Sequence, residues 1–116
     1  MSEGLIARNM GELLRERAAT DGTRDLLRFE GTTLTFGAVD RRTDQVAQWL
    51  ATRGIGRGDR VGVMLPNGLD FPVAWLGIAK AGAVMVPLNV QYKAHDLAYT
   101  LGDAGVTLVL ADPAFV

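Results

Sequence analysis

Apolar residues recur every three or four positions in the first half of the chain and fall into short continuous runs in the second. The first rhythm is that of helices with one buried face. Asn9 and Glu12 have the spacing of a capping box, and Met10, Leu13, Leu14 and Ala18 then share a face until Thr20-Asp21-Gly22. Residues 26–30 and 33–35 are β-leaning runs about Gly31-Thr32 and predict a small hairpin. Thr35 is placed to cap a helix over 36–53. That helix has Val39, Val46, Ala47 and Leu50 on one face, with Asp40, Arg41 and Asp44 on the other, solvated one. Gly54 suits the position just past the helix end, because glycine enters the left-handed region without a side-chain penalty.

From Arg60 onward, runs too short for helices alternate with helical stretches. Residues 61–65 predict a strand, Pro66-Asn67-Gly68 a turn, and 69–81 a helix that is apolar nearly all round. A second strand over 83–86 is closed by Pro87. A helix over 94–104 carries Asp96 in its first turn and ends at Gly105, before a third strand at 106–110. Continuous apolar strands separated by helices predict an α/β fold with a parallel βαβαβ unit, right-handed crossovers, and both sheet faces covered. Ala111-Asp112-Pro113 then reads as a turn into a new helix. The expectation is one partial domain over 1–116, a piece of something larger. Its outer strand at 106–110 would be open to pairing, with a homodimer through that edge as one outcome.

Composition narrows the function classes. Of 116 residues 48% are hydrophobic and 22% charged, with a formal net charge of -1. The pI near 5.7 gives no electrostatic footprint for nucleic acid. There is no cysteine, which excludes disulfides, thiolate metal sites and cysteine nucleophiles. No basic stretch followed by an apolar run opens the chain, so no secretory signal is read and a cytoplasmic location is the expectation. The apolar stretch 71–90 is long enough to span a bilayer. However, Lys80 stands at its centre at a cost of about 2.5–3.5 kcal/mol, and Pro72, Gly77, Gly82 and Pro87 punctuate it. A buried helix followed by a buried strand fits better.

The residues that invite a chemical reading have plainer ones beside them. Gly54-Ile-Gly-Arg-Gly58 follows a helix and opens a strand, the reverse of a dinucleotide loop, and reads as a connector. Lys80 near a helix end is placed to stabilise the last carbonyls or to snorkel. Asn67, Asn89 and Asp112 follow the three strands at their carboxyl ends, where ligands gather in open α/β sheets, but are also ordinary turn and cap residues. His95, the only histidine, has no partner visible in the sequence and reads as an exposed first-turn residue. Trp49, Phe71, Trp75 and Tyr99 sit in apolar helical surroundings and predict packing. From the residues alone this is an α/β module with no catalytic, cofactor-binding or metal-binding residue assigned. A flavodoxin- or receiver-like sensor shares the pattern, but the first strand lacks an acidic cluster at its end.

Four segments, in order, carry a resemblance. Leu34-Thr-Phe-Gly-Ala-Val39 is similar to L-T-[YF]-x-x-[LV], and Gly58-Asp-Arg-Val-Gly-Val-Met-Leu-Pro-Asn67 to G-D-x-V-x-[IVL]-x-x-x-N. Ala79-Lys-Ala-Gly-Ala-Val-Met-Val-Pro-Leu-Asn89 is similar to K-A-G-x-x-x-[VL]-P-[IL]-[DN], and Leu97-Ala-Tyr-Thr-Leu-Gly-Asp-Ala-Gly105 to E-L-x-Y-x-L-x-D-S-G. Together, from about Met10 to Asp112, they resemble the N-terminal region of the adenylate-forming (AMP-binding) superfamily. Asn89 leans toward its acyl-CoA synthetase, or fatty-acid–CoA ligase, branch. The resemblance implies that these segments are scaffold. The complete ligase would join a carboxylate to ATP with Mg²⁺ and pass the acyl group to CoA, using a phosphate loop, metal-binding residues and a mobile C-terminal domain found downstream. The expected partner is the remainder of the same polypeptide. The alternative is a non-enzymatic, stand-alone binding or assembly module.

Overall fold

A computed structural model describes residues 3–66, 68–88, 102 and 105–111, with side chains from Met10 onward. The order is α1 (Glu3–Asp21), β1 (Asp25–Phe29), β2 (Thr32–Thr35), α2 (Phe36–Thr52), β3 (Arg60–Met64), α3 (Asp70–Lys80), β4 (Val84–Pro87) and β5 (Val106–Ala111). The parallel sheet is present in the order β4-β3-β5, with Arg60 paired to Val84 on one side and Val106 on the other. The helix expected over 94–104 and the helix start expected at Pro113 lie, apart from Gly102, outside the described residues.

Helix α1 departs from expectation at its start. It runs through Asn9 from Glu3, so the Asn9–Glu12 spacing lies inside the helix and not at its start. Of the face predicted for it, Leu14 is buried, whereas Leu13 is 57% exposed. The hairpin forms with Glu30 (φ 49°) and Gly31 (φ 82°) at its tip, one residue earlier than the expected Gly31-Thr32 centre. Two consecutive positive φ angles suit the right-handed twist of paired strands, and glycine adopts that region freely.

Helices α2 and α3 both run into the sheet through the same C-terminal device. At the end of α2, Gly54 N–H donates to Ala51 O and Ile55 N–H to Leu50 O, each at 3.0 Å. At the end of α3, Gly82 N–H donates to Ala79 O at 3.0 Å and Ala83 N–H to Ile78 O at 3.1 Å. These are Schellman pairs, and Gly54 (φ 76°) and Gly82 (φ 80°) supply the left-handed residue. In each case the residue after the glycine packs in the same apolar cluster as its carbonyl partner, Ile55 with Leu50 and Ala83 with Ile78. The start of α2 is capped as the sequence predicts, Thr35 Oγ1 accepting from Ala38 N–H at 3.1 Å.

Leu50, Val61, Val63 and Ile78 are fully buried where α2 and α3 lie on one face of β3. Each such side chain contributes about 1.5–3 kcal/mol by leaving water. A second cluster, Leu14, Leu34, Val39 and Val73, joins α1, the hairpin, α2 and α3. Gly77 brings α2 and α3 close, since a β-carbon there would stand 2.5 Å from Val46 Cβ. Packing does not claim every aromatic: Trp49 and Trp75 are each 41% exposed. Trp49 lies beside the buried stripe of α2 and is covered on one side by the Arg53 guanidinium, 5.1 Å from its ring centre. Phe71 packs against the sheet-side core, as expected, and Tyr99 lies outside the described residues.

Candidate functional site

The residues singled out at strand ends, Asn67, Asn89 and Asp112, and the histidine His95, lie outside the described residues. The glycine-rich segment is a connector. Asp59 accepts from Gly56 N–H through Oδ2 at 2.8 Å, and Gly58 N–H donates to Gly82 O at 3.2 Å, tying the loop to the end of α3. These main-chain donors face the protein's own oxygens.

Lys80 corrects the sequence reading. Its side chain is 5% exposed, so it neither snorkels nor caps its own helix. Nζ donates across to α2 instead, to Asp40 Oδ1 at 2.6 Å, Asp40 O at 3.1 Å and Asp44 Oδ1 at 2.8 Å. The same Asp44 oxygen accepts from Arg15 of α1 at 3.1 Å. The face of α2 read as solvated therefore divides: Arg41 is exposed, while Asp40 and Asp44 turn inward to neutralise Lys80. The reason is charge balance. An ammonium taken out of water at the end of an apolar helix needs carboxylates close by, and α2 supplies two, one turn apart. Burial alone would push the Asp44 carboxyl up, but hydrogen bonds and charge from Lys80, then Arg15, outweigh it and hold the group below its ordinary value.

This cluster is chemically quiet. All three ammonium hydrogens are engaged, so Nζ offers neither a lone pair for attack nor a free donor for a phosphate. Among the described residues, no three of His, Cys, Asp and Glu come together as a metal site. An open groove of about 500 Å³ runs between α1, the hairpin and α3 over Leu13, Leu26, Phe36 and Leu76. At its rim Arg17 pairs with Asp21 at 3.4 Å, and Asp25 with Arg28 at 3.5 Å. No described helix is long and apolar enough to cross a membrane; the apolar stretch that begins at Phe71 forms most of α3 and then β4.

Comparison with known proteins places this scaffold. A family model described as AMP-binding enzyme matches residues 14–115. Tyrocidine synthase 2 of Brevibacillus parabrevis is 35% identical over 104 residues, covering 90% of this chain and 3% of that protein. The medium/long-chain-fatty-acid–CoA ligase FadD6 of Mycobacterium tuberculosis is 36% identical over 116 residues, covering 94% of this chain and 19% of the ligase. The N-terminal domain of FACL13 from Mycobacterium tuberculosis, solved with an inhibitor bound, superposes with a TM-score of 0.79 at 30% identity, covering 86% of this chain and 26% of that one. The chain thus spans a fifth or less of the two full-length proteins, and they represent two different kinds of synthetase.

Proposed function

We propose, since the chain belongs to the AMP-binding enzyme family, that it is the N-terminal scaffold segment of an ATP-dependent acyl-CoA synthetase. One observation supports its being a segment, and Asn89 is what leans it toward the acyl-CoA branch. The family match extends over almost the whole chain, yet the chain spans only 19% of a ligase relative at 36% identity. The fold gives its motifs structural work. Ala79 to Asn89 opens with the end of α3 and its glycine turn and continues through β4; Gly58 to Asn67 leads into β3. The stand-alone module is less favoured, because the matched relatives are much longer synthetases and ligases.

We place ATP, Mg²⁺ and CoA with the remainder of the polypeptide, as the family's downstream motifs imply. The described residues bring no metal-binding group together, and the one buried lysine is spent on Asp40 and Asp44. No chemical step is therefore assigned to this segment. The remainder of the polypeptide is the proposed partner. In isolation, β5, which like β4 is an edge among the described strands and has Val109 36% exposed, would also admit a second copy edge to edge.

The test is pyrophosphate release, on the 116-residue chain and on the full coding sequence that contains it. The short chain should form no acyl-adenylate, while the full protein should release pyrophosphate with a fatty acid and make a thioester with CoA. Release with amino acids alone, and no CoA thioester, would move the parent to the peptide-synthetase branch and sink the proposal. Light scattering on the short chain tests edge pairing, a strict monomer counting against it.

A further inference from the structure

The groove between α1, the hairpin and α3 owes part of its apolar floor to a break in the hairpin's register. Asp25 pairs with Thr35 and Leu27 with Leu34, so Leu26 is an extra residue between them. In a regular strand Leu26 and Leu27 would point to opposite faces. At the bulge both pack against the Leu14–Leu34 cluster, and Leu26 lines the groove. Leu13 of α1, Phe36 at the start of α2 and Leu76 of α3 extend the floor. Leu13 is 57% exposed and the other three are half-buried, so this apolar surface faces water. Its volume of about 500 Å³ lies in the range of small-molecule sites. The rim carries an unbalanced charge. Arg17 pairs with Asp21, and Arg28 with Asp25. Arg24 lines the same groove, is exposed, and has no side-chain hydrogen bond or ion pair among the described residues. Its main chain is nevertheless anchored: Arg24 N–H donates to Asp21 O at 2.9 Å, and its carbonyl accepts from Phe36 N–H at 2.9 Å. Three guanidiniums thus face two carboxylates, and the spare one stands on a fixed backbone beside the apolar floor.

We propose that this groove binds a monoanionic amphiphile, an aliphatic carboxylic acid whose head pairs with Arg24 and whose chain lies over Leu13, Leu26, Phe36 and Leu76. A guanidinium presents parallel N–H donors that match the two oxygens of a carboxylate. One spare positive charge balances one negative charge. A phosphate ester, which carries close to two, would stand against Asp21 and Asp25 on the same rim. An alkyl ammonium would meet Arg24 itself, and a neutral alcohol would gain the floor alone. The floor contributes in proportion to the apolar area it removes from water, so affinity should rise with chain length until the groove is filled. The acid is held and released unchanged. This inference stands apart from the ligase reading, because it concerns the 116-residue chain and neither ATP nor CoA enters its test.

The 116-residue chain is titrated with octanoate, octanol and octylammonium, each below the concentration at which it forms micelles. Binding is read from the methyl resonances of Leu13, Leu26 and Leu76, with those of Leu50 and Ile78 in the sheet-side core as controls. Octanoate should bind at least about tenfold more tightly than the alcohol or the amine, as one charge-assisted pair predicts. Arg24→Gln should bring octanoate down to the level of octanol and leave octanol where it was, while Arg24→Lys keeps part of the preference. Leu13→Ser, at an exposed position, should weaken octanoate and octanol alike. Equal binding of octanoate and octanol, shifts confined to other methyl groups, or no binding at all would overturn the proposal. So would an Arg24→Gln chain that keeps its preference for octanoate. Tighter binding of octyl phosphate than of octanoate would overturn the choice of a carboxylate. Groove resonances that move with protein concentration alone would show a second copy seated there, and would overturn it too.

Discussion

The body formed by α2, β3, α3 and β4 and the helix laid over it are held by different kinds of contact. In the body, helix meets sheet through Leu50, Val61, Val63 and Ile78, all fully buried, and both helices end in glycine turns that return the chain to the core. Helix α1 meets the same body through Leu14, a bare glycine and a relay of charges, Arg15 to Asp44 to Lys80 to Asp40. Apolar contacts depend on area and shape and respond little to pH or salt. A relay depends on both partners being present and charged, so it fails when either is altered. The two regions should therefore part company under mutation and under acid.

The sharpest way to break the comparison is at the body. Ile78→Ala should cost about 3–4 kcal/mol, read as a lower denaturation midpoint for every probe at once. A loss confined to α1 would contradict a shared core. Lys80→Met comes next, at about 2–3 kcal/mol, because it strands two half-buried carboxylates. Adding Asp40→Asn and Asp44→Asn should recover most of that loss if charge balance, and not lysine packing, sets the cost. Gly77→Ala should cost about 1–3 kcal/mol by driving a methyl group into Val46, and an unchanged midpoint would mean that α2 and α3 stand further apart than this.

The pH response sharpens the contrast further. Asp44 is held below its ordinary value, so its contribution is present above the unfolded carboxylate value of about 4 and lost as pH falls through the lower, folded one. Amide exchange in α1 should rise in that acid window before exchange in β3 does, and Asp44→Asn should remove that part of the slope. Arg15→Ala should have the smallest effect, below about 1 kcal/mol, because its side chain is 66% exposed and its ion pair is screened by water.

Legibility in the sequence followed the same division. Thr35 and Gly54 marked the ends of α2, and the apolar runs marked β3, β4 and β5, because these features are local and each acts on its immediate neighbours. The Lys80 cluster was not legible in that way. Its partners are 36 and 40 residues away, and a lysine in the last turn of a helix has a sufficient local explanation in the helix dipole. A signal was present: Asp40 and Asp44 share a face one turn apart, and the helix that packs on them carries Lys80 as its only cation. The capping-box spacing at Asn9 misled for the opposite reason. The pattern is local, but the helix-forming residues before it continue the helix straight through. Exposure of Trp49 and Trp75 was hidden because an aromatic in an apolar helix gives no sign of which side the sheet will occupy.

The order of the strands bears on how the molecule is made. Among the described strands β3 is central, and Val84 and Val106, the partners of its Arg60, both come later in the chain. During synthesis the middle of the sheet emerges from the ribosome first, already preceded by α2, whose Leu50 will cover it. Each later described strand then finds an existing template, and among the described strands none waits for a partner inserted between it and its neighbour. Parallel pairing is intrinsically slow because its contacts are distant in sequence. A sheet that grows outward from its oldest strand keeps that delay from leaving a gap at its centre.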